Sequence, residues 1–438
     1  MATAVPEVHG ALAAGVAGGP AAAATPVRRL IVVDALRGIA CLAVMVHHSV
    51  PIAAFGDFYL LQRMGHTSVT LFLVLSGFSI HYRWAAKGEL GDRFDHRSYW
   101  ARRFLRIYPS YAFAVVLEII LFVMILGPDQ GWHWGANGIP TWFMVMAQIL
   151  LVTANTVHIG YVTIGWTLAF EIQVYALYSV IVTHVRRIGA VRIVLISLAV
   201  AIVWRYACQW FLTTLPVARD PYGTVATAST VYNHVGYTQL PARAFEWMLG
   251  LLAAEVVMRR VALPPALSRL PSHWGAAVFG VLFGVISYLF FRPLGVSSLN
   301  GNPFYLSDVV YDQIAGVAWF AMLLWAVQHE GALGRFAITR TPLRVFAAVG
   351  VFSYSLYLVH YPMLFFFERE FRLLSDPENP RPLAVGWEAG ASMIFIWLVI
   401  IGFAFIFHVL IERRFLQASQ RVGKRSRGSN QPQPLPAG

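Results

Sequence analysis

Long apolar runs alternate with short polar segments along most of the chain, and most of the runs are about as long as a bilayer is thick. A spanning helix needs about 20 largely apolar residues, because each residue rises 1.5 Å through roughly 30 Å of hydrocarbon. Ten stretches qualify, near residues 30–50, 66–82, 104–126, 163–183, 192–213, 241–258, 274–291, 309–328, 344–367 and 388–411. An eleventh, Ile139 to Thr153, has only 15 residues, below the usual minimum of about 17. The pattern predicts an all-α, polytopic membrane helix bundle of about ten transmembrane helices.

Composition agrees and removes the alternatives. Of 438 residues, 58% are hydrophobic and only 12% charged, about half the roughly 25% of a soluble domain. The mean hydropathy of +0.61 argues against a soluble enzyme. An aromatic share of 14% argues against disorder, collagen or coiled coil. Cys41 and Cys208 lie in apolar stretches and read as packing residues rather than a disulfide framework.

The net charge of +12 resembles a nucleic-acid signal until the cations are placed. Lys and Arg gather in cytoplasmic loops. With ten spans and the N-terminus inside, most of the 33 Lys and Arg fall on the cytoplasmic side. The outer side keeps Arg63, Arg219, Arg243, Arg292, Arg369, Arg372 and Arg381, and Arg37 and Arg205 sit inside spans. A crossing at 139–153 would turn the basic Arg186–Arg192 loop outward, so that segment reads as re-entrant or interfacial, with Trp142 at the headgroup level. Both termini are then cytoplasmic, in the cell (inner) membrane. The basic excess is orientation and affinity for anionic headgroups, with the bilayer and not nucleic acid as partner. The 81–106 loop is the exception: Arg83, Lys87, Arg93, Arg97, Arg102, Arg103 and Arg106 exceed what orientation requires. Residues 1–27, rich in Ala, Gly and Pro, and the polar 417–438 read as disordered cytoplasmic tails around a membrane domain at 28–416.

Ionisable side chains inside a span cost at least ~2.5–3.5 kcal/mol on insertion scales, which marks each as a functional candidate. The first span carries Asp34, Arg37, His47 and His48. At 100° per residue Asp34, Arg37 and His48 share one face, with His47 about 100° round. Arg37 and His48 lie about 16 Å apart along the axis. Asp34 and Arg37 are three apart and can pair. Further candidates are Glu171 in the fourth span, Arg243 and Glu246 opening the sixth, and Ser353, Tyr357 and His360 on one face of the ninth. His408 reads as a packing histidine, Glu412 as a partner of neighbouring arginines, and Glu118 with Arg205 as a long-range pair. Ser68 and Ser76 read as small helix-packing residues. No His, Cys or carboxylate cluster shows metal-ligand spacing.

These residues resemble the membrane acyltransferase 3 family from residue 30 to about 416. Asp34-Ala-Leu-Arg37, with His48 eleven residues after Arg37, is similar to its Arg-x10-His signature. Ser68 through Phe78 resembles its second-span motif, Arg103-Phe-Leu-Arg106 its Arg-x-x-Arg motif, and Trp166 through Glu171 its Trp-x-Leu-x-x-Glu element. Arg243 through Gly250 and Ser353 through Pro362 resemble later elements, and Ile411-Glu412-Arg413 the closing one, with Arg414 where proline is expected.

The resemblance implies a ten-span O-acyltransferase that moves an acyl group, expected to be acetyl, from acyl-coenzyme A. No permanently bound cofactor is expected. The acceptor is a hydroxyl of an envelope glycan, a lipid-linked glycan or a small molecule. Such chemistry needs a base for the hydroxyl proton and donors for the developing oxyanion. His48 is the expected base, since a neutral imidazole accepts a proton near pH 7, and Asp34 and Arg37 position the helix or the thioester. Arg103 and Arg106 suit the coenzyme's phosphates, because guanidinium forks match phosphate oxygens. Glu171, Arg243, Ser353, Tyr357 and His360 are expected to contact the acceptor or relay protons. The rival reading is a proton-coupled transporter or flippase, which also uses intramembrane ionisable groups but usually shows repeated halves with broken helices.

Overall fold

The computed structural model describes residues 29–49, 59–88, 90–91, 94–126, 146, 165–214, 236–262, 273–291, 295–299, 302–375 and 387–428. The chain runs through α1 (Ile31–Ser49), α2 (Tyr59–Ala86), α3 (His96–Leu126), α4 (Gly165–Ile188), α5 (Ala190–Thr214), α6 (Leu240–Val257) and α7 (Trp274–Phe291). A two-stranded antiparallel ribbon, β1 (Gly295–Leu299) and β2 (Asn302–Tyr305), precedes α8 (Leu306–Gln328) and a single turn, α9 (Glu330–Leu333). The rest is α10 (Ala337–Val351), α11 (Ser353–Ser375), α12 (Trp387–Phe407), a π-helical turn at His408–Glu412, and α13 (Arg413–Gly428).

A helix stands at each of the ten apolar stretches. By length and composition six of them qualify to cross a membrane: α1, α3, α4, α5, α8 and the rod begun by α12. The bent α10–α11 pair makes a seventh. The other three fall short for separate reasons. Polar Thr67, Ser68, Thr70 and His81 interrupt α2, ionisable Arg243, Glu246 and Glu255 interrupt α6, and α7 is short, 18 residues from Trp274 to Phe291. The expected eleventh segment, 139–153, lies outside the described residues except Met146, and so does the tail at 1–27.

Two expectations change. The ninth stretch is not one rod: α10 and α11 meet at Phe352 with a bend of 73°. The polar C-terminal segment, expected to be disordered from 417, is helical to Gly428. Phe415, Leu416, Ser419 and Val422 recur at helical spacing there, and buried Ser419 donates to the Arg102 carbonyl of α3 (3.2 Å). Packing on α3 gives those turns a reason to order that composition alone does not.

The bundle is inverted relative to a soluble protein. Large apolar side chains face outward on α3 (Phe113, Val116, Ile120), α5 (Leu195, Ile196, Val203) and α12 (Phe395, Leu398, Phe405). Buried interior positions carry Arg103, Arg205, Arg243, Glu246, Asp312, His81 and His360. In hydrocarbon, apolar surface costs nothing and polar groups must find partners inside the protein. The chain is a multi-pass membrane protein.

Small residues bring α1 close to its neighbours. A Cβ on Gly38 would collide with the Phe346 carbonyl of α10, and one on Gly350 with the Asp34 carbonyl of α1. That reciprocal contact lets two backbones touch, as small residues do between membrane helices. It sets the depth of Asp34 and Arg37 in the bundle.

Candidate active site

A cavity of about 120 Å³ lies among α1, α2, α3, α4 and α11. A single water needs roughly 10–15 Å³ by this measure, so the space exceeds one solvent molecule several-fold. Sequence-predicted Arg37, Arg103, Arg106, Glu171, Ser353 and Tyr357 all line it. Three guanidiniums against one lining carboxylate make it a place for an anion.

Each arginine is held differently. Arg37 is braced by Asp34 (Nη1 to Oδ1, 3.3 Å) and donates to Ser79 Oγ from Nη2 (2.5 Å). Asp34 also receives Arg29 Nε at 2.7 Å. The predicted Asp34–Arg37 pair therefore forms, with a second arginine on its carboxylate. Arg103 lies over the rings of Tyr175 (5.5 Å) and Tyr99 (6.0 Å), and its buried Nε has no hydrogen-bond partner among the described residues. A buried donor left unpaired costs about 1–3 kcal/mol, a cost that an anionic ligand in the cavity relieves. Arg106 and Glu171 stand near enough to Arg37 to act on its charge.

His48 and His360 do not line this cavity; they bind each other. His48 Nδ1 lies 2.9 Å from His360 Nε2, and the rings stack at 5.1 Å. Their partners assign the tautomers. His360 Nδ1 faces the carbonyls of Tyr357 (2.7 Å) and Leu356 (3.2 Å), so it carries a hydrogen. In the neutral ring the lone pair is then on Nε2 and accepts from His48 Nδ1–H. The lone pair of His48 is left on Nε2, the arrangement of a proton acceptor whose other nitrogen is fixed.

Arg243 is placed elsewhere. It is fully buried and pairs with Asp312 (2.5 Å), while Glu246 lies 3.5 Å away and Thr70 Oγ1 accepts from its Nη2 at 3.1 Å. Arg205 joins the same aspartate at 2.7 Å, and Tyr237 stacks on both guanidiniums. The expected Glu118–Arg205 pair is replaced by Asp312, which sits one turn beyond Asp308 on α8. Removing one partner of a buried pair costs about 3–5 kcal/mol, so this cluster ties α5, α6 and α8 together. Glu412, expected beside arginines, instead meets His408 Nδ1 (2.7 Å) and accepts from Ser355 Oγ (2.5 Å).

Sequence reasoning passed over Thr167, Tyr175, Ser79 and Tyr354 as cavity residues. A signal was present for the first two. Thr167, Glu171 and Tyr175 follow one another at intervals of four, a polar stripe on one face of α4. Ser76, read as a packing residue, lines the cavity and also accepts from Trp247 Nε1 (3.3 Å). A second pair also escaped notice: buried His81 Nε2 lies 2.5 Å from Glu255 Oε1, with Tyr178 on its other nitrogen at 3.0 Å. Among the described residues no group of three or more His, Cys, Asp or Glu side chains is placed to hold a metal ion.

A family model described as an acyltransferase domain matches residues 30–413. The chain belongs to the acyltransferase 3 family. Two relatives agree. Acyltransferase MdmB of Streptomyces mycarofaciens is 24% identical over 352 residues, 77% of this chain and 79% of the relative. Peptidoglycan O-acetyltransferase OatA of Listeria monocytogenes is 23% identical over 347 residues, 76% of this chain but only 49% of the relative, so about half of OatA has no counterpart in the match. No solved structure matches. Family and relatives make this chain a membrane O-acyltransferase and set it apart from the transporter reading.

Proposed function

We propose that the protein moves an acyl group, acetyl in the simplest case, from acyl-coenzyme A to a hydroxyl of an envelope glycan or related acceptor at the cell membrane. In this reading the ten helical stretches are ten spans, both termini are cytoplasmic, and the donor enters from the cytoplasmic ends of α2 and α3. OatA, a peptidoglycan O-acetyltransferase, supports a glycan acceptor.

The observation that carries the reading is the oriented histidine pair next to a cation-lined cavity. Arg103 and Arg106 hold the coenzyme's phosphates. The pantetheine arm lies along the cavity past Arg37, which Asp34 and Ser79 brace on its wall, and carries the thioester on toward His48. His48 Nε2 takes the acceptor's hydroxyl proton while that oxygen bonds to the carbonyl carbon. The C–S bond breaks, and the departing thiolate takes the proton from His48. His360 fixes the ring that does this. Glu171 and Ser353 give the cavity polar contacts for the donor or acceptor, and Arg243 serves the frame.

The test compares membranes holding the wild-type chain with membranes holding His48→Ala, reading acylated glycans and metabolites by mass spectrometry. A general base contributes typically 10²–10⁴-fold, so the acylated product should fall at least a hundredfold. Product formed at the wild-type level by His48→Ala would remove His48 as the base.

A further inference from the structure

The histidine pair does not line the donor cavity, and Tyr357 borders the one and packs beside the other. Its ring borders the cavity, lies edge-on to Phe72 of the same wall (5.9 Å), and is 5.6 Å from the ring of His360. His48 stacks on His360, with ring centroids 5.1 Å apart. The Tyr357 backbone cannot move freely, because its carbonyl accepts the hydrogen bond that orients His360 (2.7 Å). Only the side chain is left to swing. The hydroxyl of that side chain is tied to Thr167 Oγ1 of α4 at 2.7 Å. Thr167 is buried, lines the cavity, and sits one turn before Glu171.

We infer that Thr167 is a positioning residue whose hydroxyl holds the Tyr357 ring across the passage between the donor cavity and the His48–His360 pair, so that the thioester meets His48 only when this bond is released. The inference rests on the acyl-coenzyme A reading above and adds to it. A base that can strip an alcohol can also strip water. Water attack would form a C–O bond, break the C–S bond and pass its proton through His48 to the leaving thiolate, wasting the donor as free acid. A ring held across the passage suppresses that loss until the acceptor is in place.

The experiment uses the full chain in lipid nanodiscs with acetyl-coenzyme A and no acceptor, reading released thiol by a colorimetric disulfide reagent. Thr167→Val keeps the shape and removes the hydroxyl; Thr167→Ser restores it; Tyr357→Phe removes the other half of the bond. One hydrogen bond of ordinary net strength corresponds to roughly two- to tenfold in the open population. Acceptor-free cleavage should rise by about that factor in Thr167→Val and in Tyr357→Phe and return to the wild-type rate in Thr167→Ser. The KM for acetyl-coenzyme A should stay unchanged, and the extra cleavage should vanish when His48→Ala is added. Cleavage that stays level or falls in Thr167→Val overturns the inference, as does a rise that Thr167→Ser fails to reverse. Wild-type protein that cleaves no acetyl-coenzyme A, with or without acceptors, overturns the donor assignment itself, an outcome distinct from a wild-type rate that Thr167→Val leaves unaltered. If Thr167→Val does not yield monodisperse protein, Tyr357→Phe decides alone.

Discussion

Arg103 and Arg106 are three residues apart on α3, and both line the cavity. Spacing alone put them on one helical face; the cavity they share with Arg37 is what makes that face a place for an anion. If they bind the coenzyme's phosphates, replacing both with Ala removes attraction felt equally by ground and transition states. Such uniform binding appears in KM and not in kcat. The expected outcome for Arg103→Ala with Arg106→Ala is a KM for acetyl-coenzyme A at least tenfold higher, with kcat within about threefold, in steady-state assays. An unchanged KM would refute the phosphate role. Arg37, Asp34 and His48 were likewise legible as single residues, because an ionisable group in an apolar run is costly and therefore conspicuous. Thr167 was not: a hydroxyl in a membrane helix is commonplace, and only the partner across the bundle gives it meaning.

The crossing of α1 with α10 depends on glycines more than on side-chain complementarity. Gly350 faces the Asp34 carbonyl, while Gly280 on α7 has open space beside it. Gly350→Ala should therefore destabilise by about 1–3 kcal/mol, the usual cost of overpacking, and move Arg37 away from its bracing partners. Gly280→Ala should be neutral or slightly stabilising, since Gly in a helix costs roughly 0.5–1 kcal/mol relative to Ala. Thermal unfolding of the two variants in the same detergent separates them, and equal melting temperatures would refute the close-contact argument. Helix positions followed from hydropathy, but the 73° bend at Phe352 did not. Ser353, Tyr357 and His360 keep their spacing on α11 either way, so the sequence is silent about where the axis turns. Nor did composition reveal α13, whose order comes from its contact with α3.

Across the whole molecule, the distribution of cations predicts an orientation that is open to direct measurement. With Cys41→Ser and Cys208→Ser as background, Arg187→Cys and Ser426→Cys should react with a membrane-impermeant maleimide only from the cytoplasmic side, and Gly56→Cys only from outside. Labelling of Arg187→Cys from outside would mean that the short 139–153 segment crosses after all. At this scale the amino-acid sequence by itself determined the class of molecule, the location of its helices and which ionisable groups lie inside them. All three follow from transfer free energy, which is a property of each stretch alone. What only the tertiary structure decided is which of those groups meet. Arg37, Arg103, Arg106 and Glu171 converge on one cavity, His48 joins His360 across 312 positions, and Arg243 is drawn off to Asp312. A buried polar atom left unpaired in the absence of water is costly, and many partners lie on a different helix. Their choice is therefore fixed by packing, which no single stretch of sequence contains.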